Sequence, residues 1–149
     1  MKTEPLEARA AIADLIHRYA LNIRNGNATD CAALFTEDVI FEVRDAPLDG
    51  SAPVQIRTSL KGRDTVLSYL VRAAGSGVRV CPMIHNLLIQ VGEAEASSSC
   101  VMTAIVSGAP GFFGEYQDTY RFEGSWCFAS RSFTIFGAFG SAAADGNGQ

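Results

Sequence analysis

An α+β fold, with helices packed on one face of a curved antiparallel sheet, is predicted by three features of the sequence. Apolar residues recur every three or four positions up to Arg24; they alternate every two from Val39; and beyond Gly77 four long β-like runs follow one another through short turn-rich links. The resulting order, α-α-β-β-α-β-β-β-β, segregates helices from most of the strands and so argues for helices on one side of a sheet rather than for a doubly wound fold.

The first helix spans Leu6 to about Arg24, with Ala8, Ala11, Ile12, Leu15, Ile16, Tyr19 and Ile23 on one face. Asn25-Gly26-Asn27 stops it with residues that tolerate left-handed backbone, and Thr29 or Asp30 is placed to cap a short second helix through Cys31-Ala32-Ala33-Leu34-Phe35. Val39 to Arg44 then switches to period 2, Asp45 to Ser51 is turn chemistry, and Val54 to Arg57 alternates again, which predicts a hairpin or two short strands. Gly62 opens a third helical pattern through Val66, Leu67, Leu70 and Val71, ended at Gly75-Ser76-Gly77. The last four runs are Pro82–Val91, Ala96–Ser107, Phe112–Phe122 and Trp126–Phe136. Their links, Gly92-Glu93-Ala94, Ser107 to Gly111 and Glu123-Gly124-Ser125, are short enough for an antiparallel meander. One domain, residues 1–139, is expected, followed by a small polar tail over 140–149 that is expected to fray.

Composition excludes several classes of partner. Twelve basic and sixteen acidic residues leave a net charge of −4, which gives no footprint for nucleic acid or for an anionic membrane surface. The amino-terminal residues lack the apolar core of a signal peptide and no run approaches membrane-spanning length, so a cytoplasmic protein is expected. Cys31, Cys81, Cys100 and Cys127 are far apart in sequence and read as small apolar residues; neither a zinc site nor any other metal or cofactor is expected.

Several segments resemble the SnoaL-like branch of the nuclear transport factor 2-like superfamily. They are Arg18-Tyr19, Ala33 to Asp38 with Phe41, Gly62 before the third helix, His85 near the start of a strand, Gly114 to Phe122, and Gly124-Ser125-Trp126 ahead of Arg131. The resemblance runs from about Glu7 to Phe136 and implies a conical barrel, with three helices from the amino-terminal half packed on a curved mixed or antiparallel sheet around a cavity. It also implies a homodimer formed through the exposed sheet face, in which Gln90, Thr103 and Thr119 would belong to the interface. Polyketide cyclases, scytalone dehydratase, ketosteroid isomerase and ring-dioxygenase small subunits all use this fold, so the fold alone decides no reaction.

Within that resemblance His85 falls where the dehydratase branches place a pocket histidine acting as general base, a role suited to imidazole near neutral pH. If His85 faces inward, alternation places Leu87, Ile89 and Val91 beside it. The aspartate that orients such a histidine is replaced here by Arg24, which cannot accept a proton but can grip an anionic group or serve simply as a helix-end cation. Tyr19 and Asp118 align with the two donors that hold the enolate oxygen in ketosteroid isomerase, while the base of that enzyme falls near Val43, and the adjacent Glu42 points to the opposite face. Tyr116 and Tyr120 should flank Asp118 on its own face. The competing reading makes Tyr19 an ordinary core tyrosine and pairs Asp118 with Arg121 or Arg131.

Two functions from different classes follow. The first is a cofactor-independent lyase or isomerase acting on an apolar, carbonyl-containing substrate of polycyclic or aromatic type. His85, Tyr19 and Asp118 would be its catalytic groups, with Arg24, Phe41, Val43, Leu87, Tyr116 and Tyr120 around the substrate. The second is a non-catalytic ligand-binding or subunit-pairing protein that has lost the Asp-His dyad.

Overall fold

The computed structural model describes residues 4–139, and the expected tail over 140–149 lies outside the described residues. The elements are α1 (Pro5–Asn25), α2 (Ala28–Ala32), β1 (Phe35–Asp45), β2 (Gln55–Lys61), α3 (Arg63–Ala74), β3 (Val80–Val91), β4 (Glu95–Val106), β5 (Phe112–Phe122) and β6 (Trp126–Ala138). All six strands form one mixed sheet in the order β2-β1-β6-β5-β4-β3, with β1 and β6 parallel and the other neighbours antiparallel. The predicted hairpin and four-stranded meander are both present, and the helices cover the concave face.

Helix α1 begins with Pro5 in its first turn, where the missing N–H costs nothing, and ends at Gly26 in left-handed conformation (φ 71°). There the amide of Asn27 donates to Asn22 O at 2.9 Å and that of Gly26 to Ile23 O at 3.2 Å. Its buried stripe is Ala8, Ile12, Leu15, Ile16, Tyr19 and Ala20, while Ala11 faces solvent. Helix α2 lies earlier in the chain than its sequence pattern predicts: it follows Asn27 without a side-chain cap from Thr29 or Asp30. Phe35 leaves it for the sheet, because pairing with β6 is stronger than one further turn of a five-residue helix. The amide of Phe128 donates to Leu34 O at 2.9 Å, and the Phe35 and Phe128 rings lie 5.2 Å apart.

Three of the irregularities in the sheet bear on which predicted side chains meet the concave face. In β3 both Asn86 and Leu87 oppose Cys100 alone, because His85 pairs with Val101 and Leu88 with Ser99; Asn86 takes the left-handed conformation, φ 51°. In β6, Ala129 is the extra residue between Phe128, opposite Tyr120, and Ser130, opposite Thr119. In β2, Arg57 is the extra residue between Ile56, opposite Arg44, and Thr58, opposite Val43. Each inserted residue reverses the inside-outside alternation beyond it.

Candidate functional site: a tyrosine-lined cavity

Between α1, α3 and the concave face of the sheet lies an apolar cavity of about 750 Å³. Alternation along β1 turns Phe41, Val43 and Asp45 toward it; α1 contributes Tyr19 and Ile23, α3 contributes Tyr69 and Leu70, and the meander supplies Pro82, Met102, Tyr116 and Phe133. The hydroxyls of Tyr19, Tyr69 and Tyr116 have no hydrogen-bond partner among the described residues, so three phenols on the cavity wall are free to donate to a bound molecule. Burial raises the pKa of both Tyr19 and Tyr116, against the opposing pull of the nearby Arg131 charge, so both remain neutral donors at physiological pH.

Behind these tyrosines, with no solvent exposure, Arg131 and Asp118 form a two-toothed ion pair. Arg131 Nε donates to Asp118 Oδ1 at 2.8 Å and Nη2 to Oδ2 at 3.1 Å. The guanidinium carbon sits 3.7 Å from the ring centre of Tyr116, 4.2 Å from that of Tyr19 and 4.7 Å from that of Phe128. Tyr120 Oη donates to Asp118 Oδ2 at 3.3 Å and shares a 2.6 Å hydrogen bond with Ser98 Oγ. Burial pushes the Asp118 carboxyl above its usual range while Arg131 and Tyr120 pull it down. The guanidinium loses water on burial, but Asp118 and the two tyrosines hold it charged, above its ordinary value. The pair owes its register to the Ala129 bulge, without which Arg131 would face the outside of the sheet. Arg131 Nη1 has no partner among the described residues.

Of the residues predicted from sequence, Tyr19, Phe41, Val43 and Tyr116 line the cavity together. Asp118 and Tyr120 lie on the same concave face but behind the cavity wall, and both Asp118 oxygens are occupied, so this carboxyl is not placed as a free donor to a ligand. Leu87 packs half-buried against the core without lining the cavity. Arg24 is exposed at the end of α1, its Nε donating to Asn25 Oδ1 at 3.3 Å, which is the placement of a helix-end cation.

His85 is the main departure. Leu87, Ile89 and Val91 do turn inward, but the Asn86 bulge breaks the alternation, so Ile84 faces in and His85 faces out. Its Nε2 lies 2.8 Å from Thr103 Oγ1 on the convex surface, away from the cavity. Glu42 also lies on that face, as expected from sequence, gripped by Arg44 Nε at 2.8 Å.

Sequence reasoning missed Asp45, Gln55, Arg57 and Tyr69. Asp45 was readable, since it continues the Phe41, Val43 alternation; Tyr69 sits three residues after the inward Val66; Arg57 was hidden by its bulge. Asp45 and Arg57 face each other at the cavity mouth, with Nε to Oδ2 at 2.9 Å and Nη2 to Oδ1 at 2.5 Å. Their side chains are 43% and 55% exposed, so the pair contributes only about 0.2–1 kcal/mol to stability. No three His, Cys, Asp or Glu side chains come together as metal ligands among the described residues. No helix among those residues is long and apolar enough to cross a membrane.

An α+β domain with a largely apolar cavity between its helices and its mixed sheet is the class of protein that fold and site define. The profile of the SnoaL-like domain matches residues 4–132, and the chain belongs to that family. No curated protein sequence matches it. Among solved structures it is similar to a candidate scytalone dehydratase from Novosphingobium aromaticivorans, at 26% identity and a TM-score of 0.72, covering 89% of this chain and 87% of that one. It is also similar to a Mycobacterium tuberculosis protein of unknown function, at 27% identity and a TM-score of 0.69, covering 85% and 74%. The β subunit of a candidate aromatic-ring-hydroxylating dioxygenase from N. aromaticivorans shares the fold at 15% identity and a TM-score of 0.73, covering 87% and 90%.

Proposed function

We propose that the chain binds an apolar, ring-containing small molecule whose carbonyl or hydroxyl oxygen is held by the phenols of Tyr19, Tyr69 and Tyr116. The observation that carries this reading is three tyrosine hydroxyls, unpartnered among the described residues, in the wall of a largely apolar cavity. Aromatic and aliphatic walls supply affinity through desolvation, and the phenols supply orientation. The buried guanidinium of Arg131 fixes the Tyr19 and Tyr116 rings from behind. Calorimetric titration with the bicyclic ketone 1-tetralone tests the reading. Tyr19→Phe and Tyr116→Phe should each weaken binding about 2- to 10-fold, the worth of one hydrogen bond. Absence of binding to the wild-type protein would overturn it.

One observation favours a second reading, a cofactor-independent lyase or isomerase: Asp45 is a carboxylate in the cavity wall, two residues beyond Val43, near which the base of ketosteroid isomerase falls in the resemblance. In that reaction the tyrosines would polarise a carbonyl while Asp45, half-exposed and with lone pairs left beside its contacts to Arg57, took the adjacent proton in place of the outward His85. The similarity to a candidate scytalone dehydratase supports it. Solvent deuterium entering the carbon next to the tetralone carbonyl, and lost in Asp45→Asn, is the outcome this reading requires; no exchange in the wild type leaves binding alone.

A further inference from the structure

The lining of the cavity carries the phenols of the buried Tyr19 and Tyr116 and, at its exposed mouth, Asp45, Gln55 and Arg57, among mostly apolar residues. We propose that Arg57 recognises a carboxylate at the outer end of the ligand, so that the cavity takes an elongated, ring-containing carboxylic acid. The inference rests on the cavity reading above and names the ligand class for it.

Two independent features place Arg57 in this role. It is the inserted residue of the β2 bulge, with no partner on β1, and it nevertheless lines the cavity. A bulge of this kind re-aims a side chain at the cost of ladder pairing. Its guanidinium is also only half used. Asp45 takes the edge formed by Nε and Nη2, while Nη1 has no partner among the described residues. The second fork, Nη1 with the remaining Nη2 proton, is open and matches the two oxygens of a carboxylate. Asp45 holds the guanidinium in one orientation, so less side-chain freedom is lost when a ligand arrives.

Among the described residues lining the cavity, Arg57 is the only cation. The loop over 46–54, whose Pro47 and Pro53 also line the mouth, brings both strand ends to the same rim. A ligand seated there strips water from the unpaired N–H groups, and an acceptor must replace it. A carboxylate does so with two charge-assisted hydrogen bonds, across the guanidinium from Asp45.

The test is a matched pair of probes, 4′-hydroxybiphenyl-4-carboxylate and its carboxamide, titrated calorimetrically at neutral pH. The carboxylate should bind at least about tenfold more tightly to the wild-type protein. Arg57→Gln, and Arg57→Lys, which keeps the charge but not the fork, should bring the two affinities within about twofold. Unchanged circular dichroism melting of these edge-strand variants would separate recognition from folding. Equal affinities in the wild type, or a preference that survives Arg57→Gln, would overturn the inference and leave the cavity reading standing. If neither probe bound, the cavity reading would fall with it.

Discussion

Arg131 is a charge with no access to water, compensated by one carboxylate and the faces of three aromatic rings. Asp118→Ala should therefore cost about 3–5 kcal/mol in denaturant unfolding, because it leaves an uncompensated buried cation. Asp118→Leu combined with Arg131→Met should recover much of that loss if the two act as a unit. At this scale the sequence was informative wherever alternation or helical spacing ran unbroken. Tyr19, Phe41, Val43 and Tyr116 were readable as cavity residues for that reason, and Tyr116 and Tyr120 as neighbours of Asp118. The ion pair itself stood among the alternatives, but choosing Arg131 over Arg121 required the Ala129 bulge, which leaves no mark in the local pattern. Arg121 instead reaches Asp38, which lies near the start of β1.

That Asp38–Arg121 contact ties β1 to the far end of β5, with Arg121 also holding Glu123 at 2.7 Å. The Arg121 hydrogen bond holds the Asp38 carboxyl below its usual range. Because the folded pKa is lowered, the contribution of this group is complete above the unfolded value of about 3.9 and is lost as pH falls through the folded one. The difference in denaturation midpoint between wild type and Asp38→Asn should accordingly be present at about pH 5 and vanish toward pH 2. Asn86 governs β3 in a different way. Its φ of 51° suits asparagine or glycine, so Asn86→Gly should be tolerated while Asn86→Val destabilises by about 1–2 kcal/mol in the same unfolding assay. Strands and helices were legible as elements because their periods are long-lived in the sequence. Their joints were less so: α2 gave up Phe35 to the sheet, a tertiary preference that no local pattern encodes.

At the scale of the whole molecule, the order of elements was enough to place helices over one face of the sheet, but not to place β1 parallel to β6 between β2 and the meander. That pairing joins segments more than eighty residues apart, through contacts such as Phe41 opposite Arg131. The convex face is left with Met83, Leu88, Val101 and Ile105 exposed beside His85 and Thr103. A second copy of the chain on this face is the partner expected from the family resemblance. Sedimentation velocity over a concentration series should then show a dimer, and a Val101→Glu, Ile105→Glu variant should be monomeric. The bulge in β3 has a consequence for how such a fold changes its chemistry. One residue, Asn86, stands between an imidazole in the outer layer and an imidazole in the cavity. Flattening the bulge so that Asn86 takes its own place in the ladder would restore strict alternation from Leu87 backward and turn His85 into line with Leu87, Ile89 and Val91, at the cost of expelling Ile84 from the core, whereas deleting Asn86 would keep Ile84 in and His85 out. Gain or loss of a proton-transferring group in this architecture thus needs no new side chain, only a frameshift of one position within a strand.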